Sequence, residues 1–181
     1  LYPCDMVVAC SIDDLARTEP FPAPFVTFSF DLETSIRHNT ILCAAAVIDR
    51  GGNRSEHEFR GEERDILEGL TRLVRDEDPD FITGYHIDNF DLPRIIERAE
   101  ESGPRSRVEQ AALCGGGRVP AIESEAKRLK PNRANNRVWR LTGRIPLDAW
   151  WQVRQTLRPE RESLRYVANM LWPDDADKHK L

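Results

Sequence analysis

An apolar, β-favouring run from Phe25 to Phe30 ends abruptly in Asp31-Leu32-Glu33-Thr34 and predicts a strand. A second apolar run, Ile41–Asp49, is followed by the turn signal Gly51-Gly52-Asn53. Ser55–Phe59 then alternates as a third strand. Short connections between the three predict an antiparallel meander. Ile66, Leu67, Leu70, Leu73 and Val74 recur at helical spacing, so about Glu62 to Asp76 is expected to be an amphipathic helix with its charges on the opposite face. Beyond Pro79, Phe81-Ile82-Thr83-Gly84-Tyr85 reads as a short buried strand. A second helix is expected near Leu92-Pro93, running through Ile95, Ile96 and Ala99 towards Gly103.

The pattern is weaker from Arg105 to Arg137, where Gly115-Gly116-Gly117 follows no convincing strand and reads as a flexible connection. Arg137–Leu141 and Arg144–Leu147, hinged at Thr142-Gly143, predict a hairpin. Two further helices are expected: Asp148–Leu157, and about Glu160–Leu171 with Leu164, Val167, Ala168 and Leu171 in register. Trp150 and Trp151 are expected to pack. At the front, Leu1–Pro24 reads as a lead-in from a preceding N-terminal domain, with a β-favouring piece at Met6–Cys10. Pro20, Pro22 and Pro24 close it, because alternating prolines fit neither a helix nor a central strand. The domain proper is expected over 25–172, and 173–181 is a polar tail. Strand, strand, strand, helix, strand, helix is the order of a mixed α/β sheet. In it the strand after the first helix returns beside the opening strand, and ligands gather at the carboxyl ends of strands.

Composition narrows the class. At 181 residues, 40% hydrophobic and 31% charged, the chain has room for one domain with a core. No apolar run approaches the roughly 18 residues of a membrane-spanning helix, so no membrane partner is expected, and a cytoplasmic or nuclear setting is the default. Cys4, Cys10, Cys43 and Cys114 show no Cys-x-x-Cys pairing, so neither a disulfide framework nor a zinc site is expected. Cys43, inside an apolar run, reads as a small buried thiol. The net charge of −5 hides an asymmetry: Glu56–Asp80 holds ten acids against four bases, whereas Ala126–Leu147 holds seven Lys/Arg and no acid. Either stretch can be a solvated face, but a phosphate-bearing partner would be steered to the second.

Asp31 and Glu33 carry the candidate chemistry. Two residues apart in a strand, they share a face with Cα atoms roughly 6.5–7 Å apart. Carboxylates so close resist joint ionisation unless a cation such as Mg²⁺ or Mn²⁺ lies between them. Asp-x-Glu also occurs by chance at solvated turns. Asp91, just past the end of another strand, would bring a third carboxylate to the same edge.

Phe-Asp-Leu-Glu-Thr at 30–34, followed by Ile-Thr-Gly-Tyr-His-Ile-Asp-Asn-Phe-Asp-Leu-Pro at 82–93, resembles the first and second exonuclease motifs of family B DNA polymerases, particularly the archaeal type. Asp78-Pro79-Asp80 and Gly143-Arg144-Ile145-Pro146-Leu147-Asp148 fit the same family, so the resemblance covers about Phe25 to Leu171. It implies a ribonuclease H-like fold: an antiparallel three-strand meander plus parallel strands, with flanking helices. It also implies 3′–5′ proofreading hydrolysis of DNA by two Mg²⁺ (or Mn²⁺) ions held by Asp31, Glu33 and Asp91, which are the catalytic residues by motif position.

The partners so implied are a single-stranded or frayed 3′ end of DNA and the rest of a polymerase chain. Where the family's second motif carries Asn, this chain has His86, whose imidazole reproduces only part of an amide's hydrogen bonding. His86 and Phe90 are thus candidate DNA contacts, together with Lys127, Arg128, Lys130, Arg137, Trp139, Arg140 and Arg144 around the hairpin. The family's third motif, Tyr-x-x-x-Asp, is missing: Tyr166 is followed four residues later by Met170. A fragment ending before that motif is expected to be a weak or inactive nuclease by itself. A stand-alone nuclease of the same superfold and a catalytically silent DNA-holding module are the alternatives.

Overall fold

The computed structural model describes residues 8–101, 122–129, 134–141 and 143–174. Strands β1 (Val26–Thr34), β2 (Ile41–Arg50) and β3 (Asn53–Arg60) form the expected antiparallel meander. The β2–β3 turn is tight because Gly51 and Gly52 adopt positive φ, 62° and 96°, and the Gly52 N–H donates to Asp49 Oδ1 at 2.8 Å. Helix α1 (Glu63–Glu77) follows, then β4 (Phe81–Gly84) and α2 (Asp91–Glu101). Strands β5 (Ile122–Leu129) and β6 (Ala134–Leu141) pair as a separate antiparallel ribbon, and β7 (Ile145–Asp148) completes the main sheet. Its order is β3-β2-β1-β4-β7, with β1, β4 and β7 parallel. A short helix α3 (Ala149–Gln152) runs into a π-helical turn, Val153–Leu157, and α4 (Leu164–Leu171) comes last.

One face of the sheet is the core. Val26, Phe28, Phe30 and Leu32 of β1, Ala44, Ala46 and Ile48 of β2, and Ile82 of β4 pack against the apolar stripe of α1 and against Leu92 and Ile95 of α2. The alternate residues of β1, including Asp31 and Glu33, lie on the other face and are exposed at the strand's end. Glu63 ties three elements together. Its Oε1 accepts the Ile41 N–H at 2.7 Å, and its Oε2 lies 2.6 Å from the Arg98 guanidinium, so the first turn of α1 is fastened to β2 and to α2. Gly84 ends β4 where the chain passes close to β1; a Cβ there would stand 2.6 Å from Phe30 O and also strike the Ile87 side chain. No helix among the described residues is long and apolar enough to cross a membrane.

Several expectations are corrected. The hairpin is β5–β6, not Arg137–Leu141 with Arg144–Leu147; those two segments share a single isolated bridge, Leu141–Arg144. Residues 145–148 instead lie parallel to β4, with the Ile145 N–H on Asp80 O at 2.9 Å. The last helix starts at Leu164 under a Ser163 cap. It buries Val167 and Ala168, while Leu164 and Leu171 are exposed. In the lead-in the described residues hold a capped 3₁₀ turn, Ile12–Asp14, and no strand at 8–10. Cys43 is half-buried, not buried, and Cys10 is exposed. Gly115-Gly116-Gly117, Cys4, Cys114 and the tail from 175 lie outside the described residues.

Candidate functional site

The β1–β4 pairing runs only from Thr27–Phe81 to Ser29–Thr83. Beyond it β1 continues without its parallel neighbour, which leaves backbone donors at its edge. The first residue of α2 fills that place: Asp91, only 2% exposed, accepts the Leu32 N–H on Oδ1 at 3.2 Å. Asp91 is therefore locked to the backbone N–H of Leu32, the residue between Asp31 and Glu33, and the two motifs meet at one sheet edge.

The electrostatics fit that proximity. Burial, and then the charge of Asp31, push the Asp91 carboxyl up to about 7. Burial, followed by Glu33, also raises Asp31. Among the described residues none of the ion pairs involves Asp31, Glu33 or Asp91. Nor do any three His, Cys, Asp or Glu side chains there form a ready-made metal cage.

The turn leading to Asp91 is built by other residues. His86 has φ 68°, the left-handed region in which Asn, Asp and His are the more tolerated side-chain-bearing residues. Its N–H donates to Asp148 Oδ1 at 2.8 Å, and its ring meets Trp150 edge-on at 4.9 Å. The imidazole Nδ1 is buried without a hydrogen-bond partner. Asp88, pushed up to about 7 by burial and then by Asp148, gives its N–H to Asp148 Oδ2 at 3.1 Å. From the other side, the Trp139 indole N–H donates to Asp88 O at 2.7 Å, and the Arg137 N–H donates to Asn89 Oδ1 at 3.1 Å. Sequence reasoning missed this docking of β6 on the motif turn because it paired β6 with the wrong strand.

The candidate DNA contacts separate accordingly. Arg137 and Arg140 are exposed, Arg137 with its guanidinium 5.7 Å from the Trp139 ring centroid, and Phe90 is 39% exposed beside Asp91. Arg144 is no surface cation: it is buried, pairs with Asp78 at 3.0 Å and donates to Pro79 O, which holds the start of β7 against the end of α1. Trp139 is likewise buried, as part of the core. Lys127 and Arg128 belong to β5, whose side chains lie outside the described residues, as does all of Lys130.

A meander extended by parallel strands, with carboxylates at the end of the central one, defines a ribonuclease H-like α/β domain. The family model for the exonuclease domain of DNA polymerase family B matches residues 59–167, and the chain belongs to that family. It is 36% identical over 110 residues to the DNA polymerase delta catalytic subunit of Bos taurus, a match that covers 59% of this chain and 9% of that protein. It is 29% identical over 139 residues to the DNA polymerase catalytic subunit of Epstein-Barr virus (strain B95-8), covering 77% of this chain and 14% of the viral protein. Among solved structures, the family B DNA polymerase from the archaeon Pyrobaculum calidifontis is similar with a TM-score of 0.54 and 25% identity, over 77% of this chain and 17% of that one. The chain thus spans a small part of the length of these relatives.

Proposed function

We propose that this domain removes nucleotides from a single-stranded or frayed 3′ end of DNA, as the proofreading 3′–5′ exonuclease of a family B DNA polymerase. The observation that supports the reading is the Asp91–Leu32 hydrogen bond, which ties the carboxylate of the second motif to the strand that carries Asp31 and Glu33.

The donor set suits a hard divalent cation. It consists of carboxylate oxygens only: the charge of Asp31 adds to burial in raising Asp91, Glu33 does the same to Asp31, and among the described residues no ion pair involves either group. The absence of a three-ligand cage among the described residues is compatible with Mg²⁺, which keeps several waters and binds through one or two carboxylates plus substrate phosphates. Asp31, Glu33 and Asp91 are the residues that would hold two such ions. Bound there, the ions would supply an activated water and stabilise the leaving 3′-oxygen.

The chain's own contribution is positional. Asp31 and Glu33, exposed on one face of β1, present their oxygens to solvent and substrate, while Asp91 is fixed from below by the Leu32 amide. Arg137 and Arg140, exposed on the ribbon tied to the motif turn, would take the DNA backbone, and half-exposed Phe90 offers a ring to the terminal base. The test is release of the terminal nucleotide from 3′-labelled single-stranded DNA with Mg²⁺ or Mn²⁺, by this domain in its full-length protein, beside Asp31→Ala. Release should be lost in the variant while its far-ultraviolet circular dichroism is unchanged. Equal release by both would refute the proposal.

A further inference from the structure

Asp148 is 5% exposed and sits at the junction of β7 and α3. Its carboxylate receives three backbone N–H groups. Oδ1 accepts from Trp150 at 2.9 Å, the cap of α3, and from His86 at 2.8 Å; Oδ2 accepts from Asp88 at 3.1 Å. A helix cap needs only the first of these. The other two reach across to the turn that ends in Asp91, a turn whose His86 backbone is held in the left-handed region. Such a conformation persists where its surroundings over-determine it.

We propose that Asp148 is a positioning residue of the candidate site: by gripping the His86 and Asp88 amides it fixes the turn that presents Asp91 to β1. The role rests on the proposed function above. It acts through the backbone, since Asp148 bonds to the peptides at 86 and 88 and not to Asp91 itself. Trp139 completes the grip by bonding Asp88 O, so the Asp88 residue is held on its N–H by one element and on its carbonyl by another. Opening the Asp148 side would let Asp91 swing from the Leu32 amide.

Two substitutions separate this role from capping. Asn and Ser rank with Asp as N-caps, so Asp148→Asn and Asp148→Ser both keep the Trp150 bond. Asn has one accepting oxygen and cannot also serve the Asp88 amide; Ser is too short to reach the turn. The measurements are amide hydrogen exchange and Mn²⁺ affinity by electron paramagnetic resonance on the full-length protein, with Asp31→Ala as the reference for site-specific binding. The expected result is faster exchange at Asp88 with Trp150 within twofold of wild type. With it, the Mn²⁺ affinity that depends on Asp31 should fall about tenfold or more, as for other groups that orient metal ligands. Wild-type Mn²⁺ affinity in both variants would overturn the role of Asp148 and leave the proposed function standing. If the unaltered protein binds no Mn²⁺ that Asp31→Ala removes, the proposed function fails and this role falls with it.

Discussion

Asp91→Asn isolates the cost of holding a carboxylate at this edge without a cation. The native carboxyl titrates at about 7 against an ordinary 3.8, first because it is buried and then because Asp31 repels it. Below about pH 4 both the folded and unfolded chains carry the proton, and the folded state suffers no penalty. As pH rises towards 7 the unfolded chain releases the proton while the native one keeps it, so stability is lost progressively and the loss is complete above about pH 7. At about 1.36 kcal/mol per tenfold, the difference amounts to about 4 kcal/mol, an upper figure because water penetration softens buried charges. Asn keeps an oxygen for the Leu32 N–H and removes the charge. In urea melts with EDTA at pH 8 the variant should therefore be the more stable protein by about 2–4 kcal/mol, and at pH 4 the two should agree within about 1 kcal/mol. Added Mg²⁺ at about a hundred times its dissociation constant should then raise the wild type by about 2.7 kcal/mol and leave the variant behind. An identical stability gap at pH 4 and pH 8 would refute the reasoning.

Three further outcomes are expected. Glu63→Gln keeps an acceptor for Ile41 but loses the Arg98 ion pair, which is largely buried, and should cost about 1–3 kcal/mol in a denaturant melt. The Glu63 carboxyl is held below its usual range, chiefly by the Arg98 hydrogen bond, so the wild-type advantage should vanish as pH falls through that lowered value. Gly84→Ala places a methyl against Phe30 O and Ile87 and should cost about 1–3 kcal/mol, read as a drop in the urea midpoint. Arg137→Ala with Arg140→Ala should weaken DNA binding and reduce the salt slope by about two, since each phosphate contact releases a counterion; an unchanged slope would leave the ribbon a solvated surface.

The main sheet and α1 are legible from periodicity because β1, β2 and α1 bury one face each, so Phe28, Phe30, Ile48, Ile66 and Leu70 announce their own periods. The meeting of the two motifs is legible for the same reason: a parallel β1–β4 pair fixes which strand ends share an edge. What stays hidden is the partner of β6. A turn signal at Thr142-Gly143 suggests a local hairpin, but Arg144 finds Asp78 and Pro79 O in the interior and carries the following residues into the main sheet. Arg144 and Trp139 therefore read as surface groups in sequence and are interior groups in the fold. Asp148 shows in the sequence as the first residue of a predicted helix, and its hold on the motif turn stays hidden because it depends on amides 60 residues and more away.

The left-handed backbone at His86 also bears on how this position can drift among related proteins. A site read by its side chain alone would admit any residue able to donate a hydrogen bond, Ser, Thr, Gln or Lys included. At φ 68° the main chain sieves first: Asn, Asp, His and Gly enter at little cost, whereas β-branched residues are penalised before any chemistry is compared. Exchange of Asn for His is thus one of the few steps open at this position that leaves the turn standing. Substitution there is channelled by the geometry of the main chain before the chemistry of the side chain.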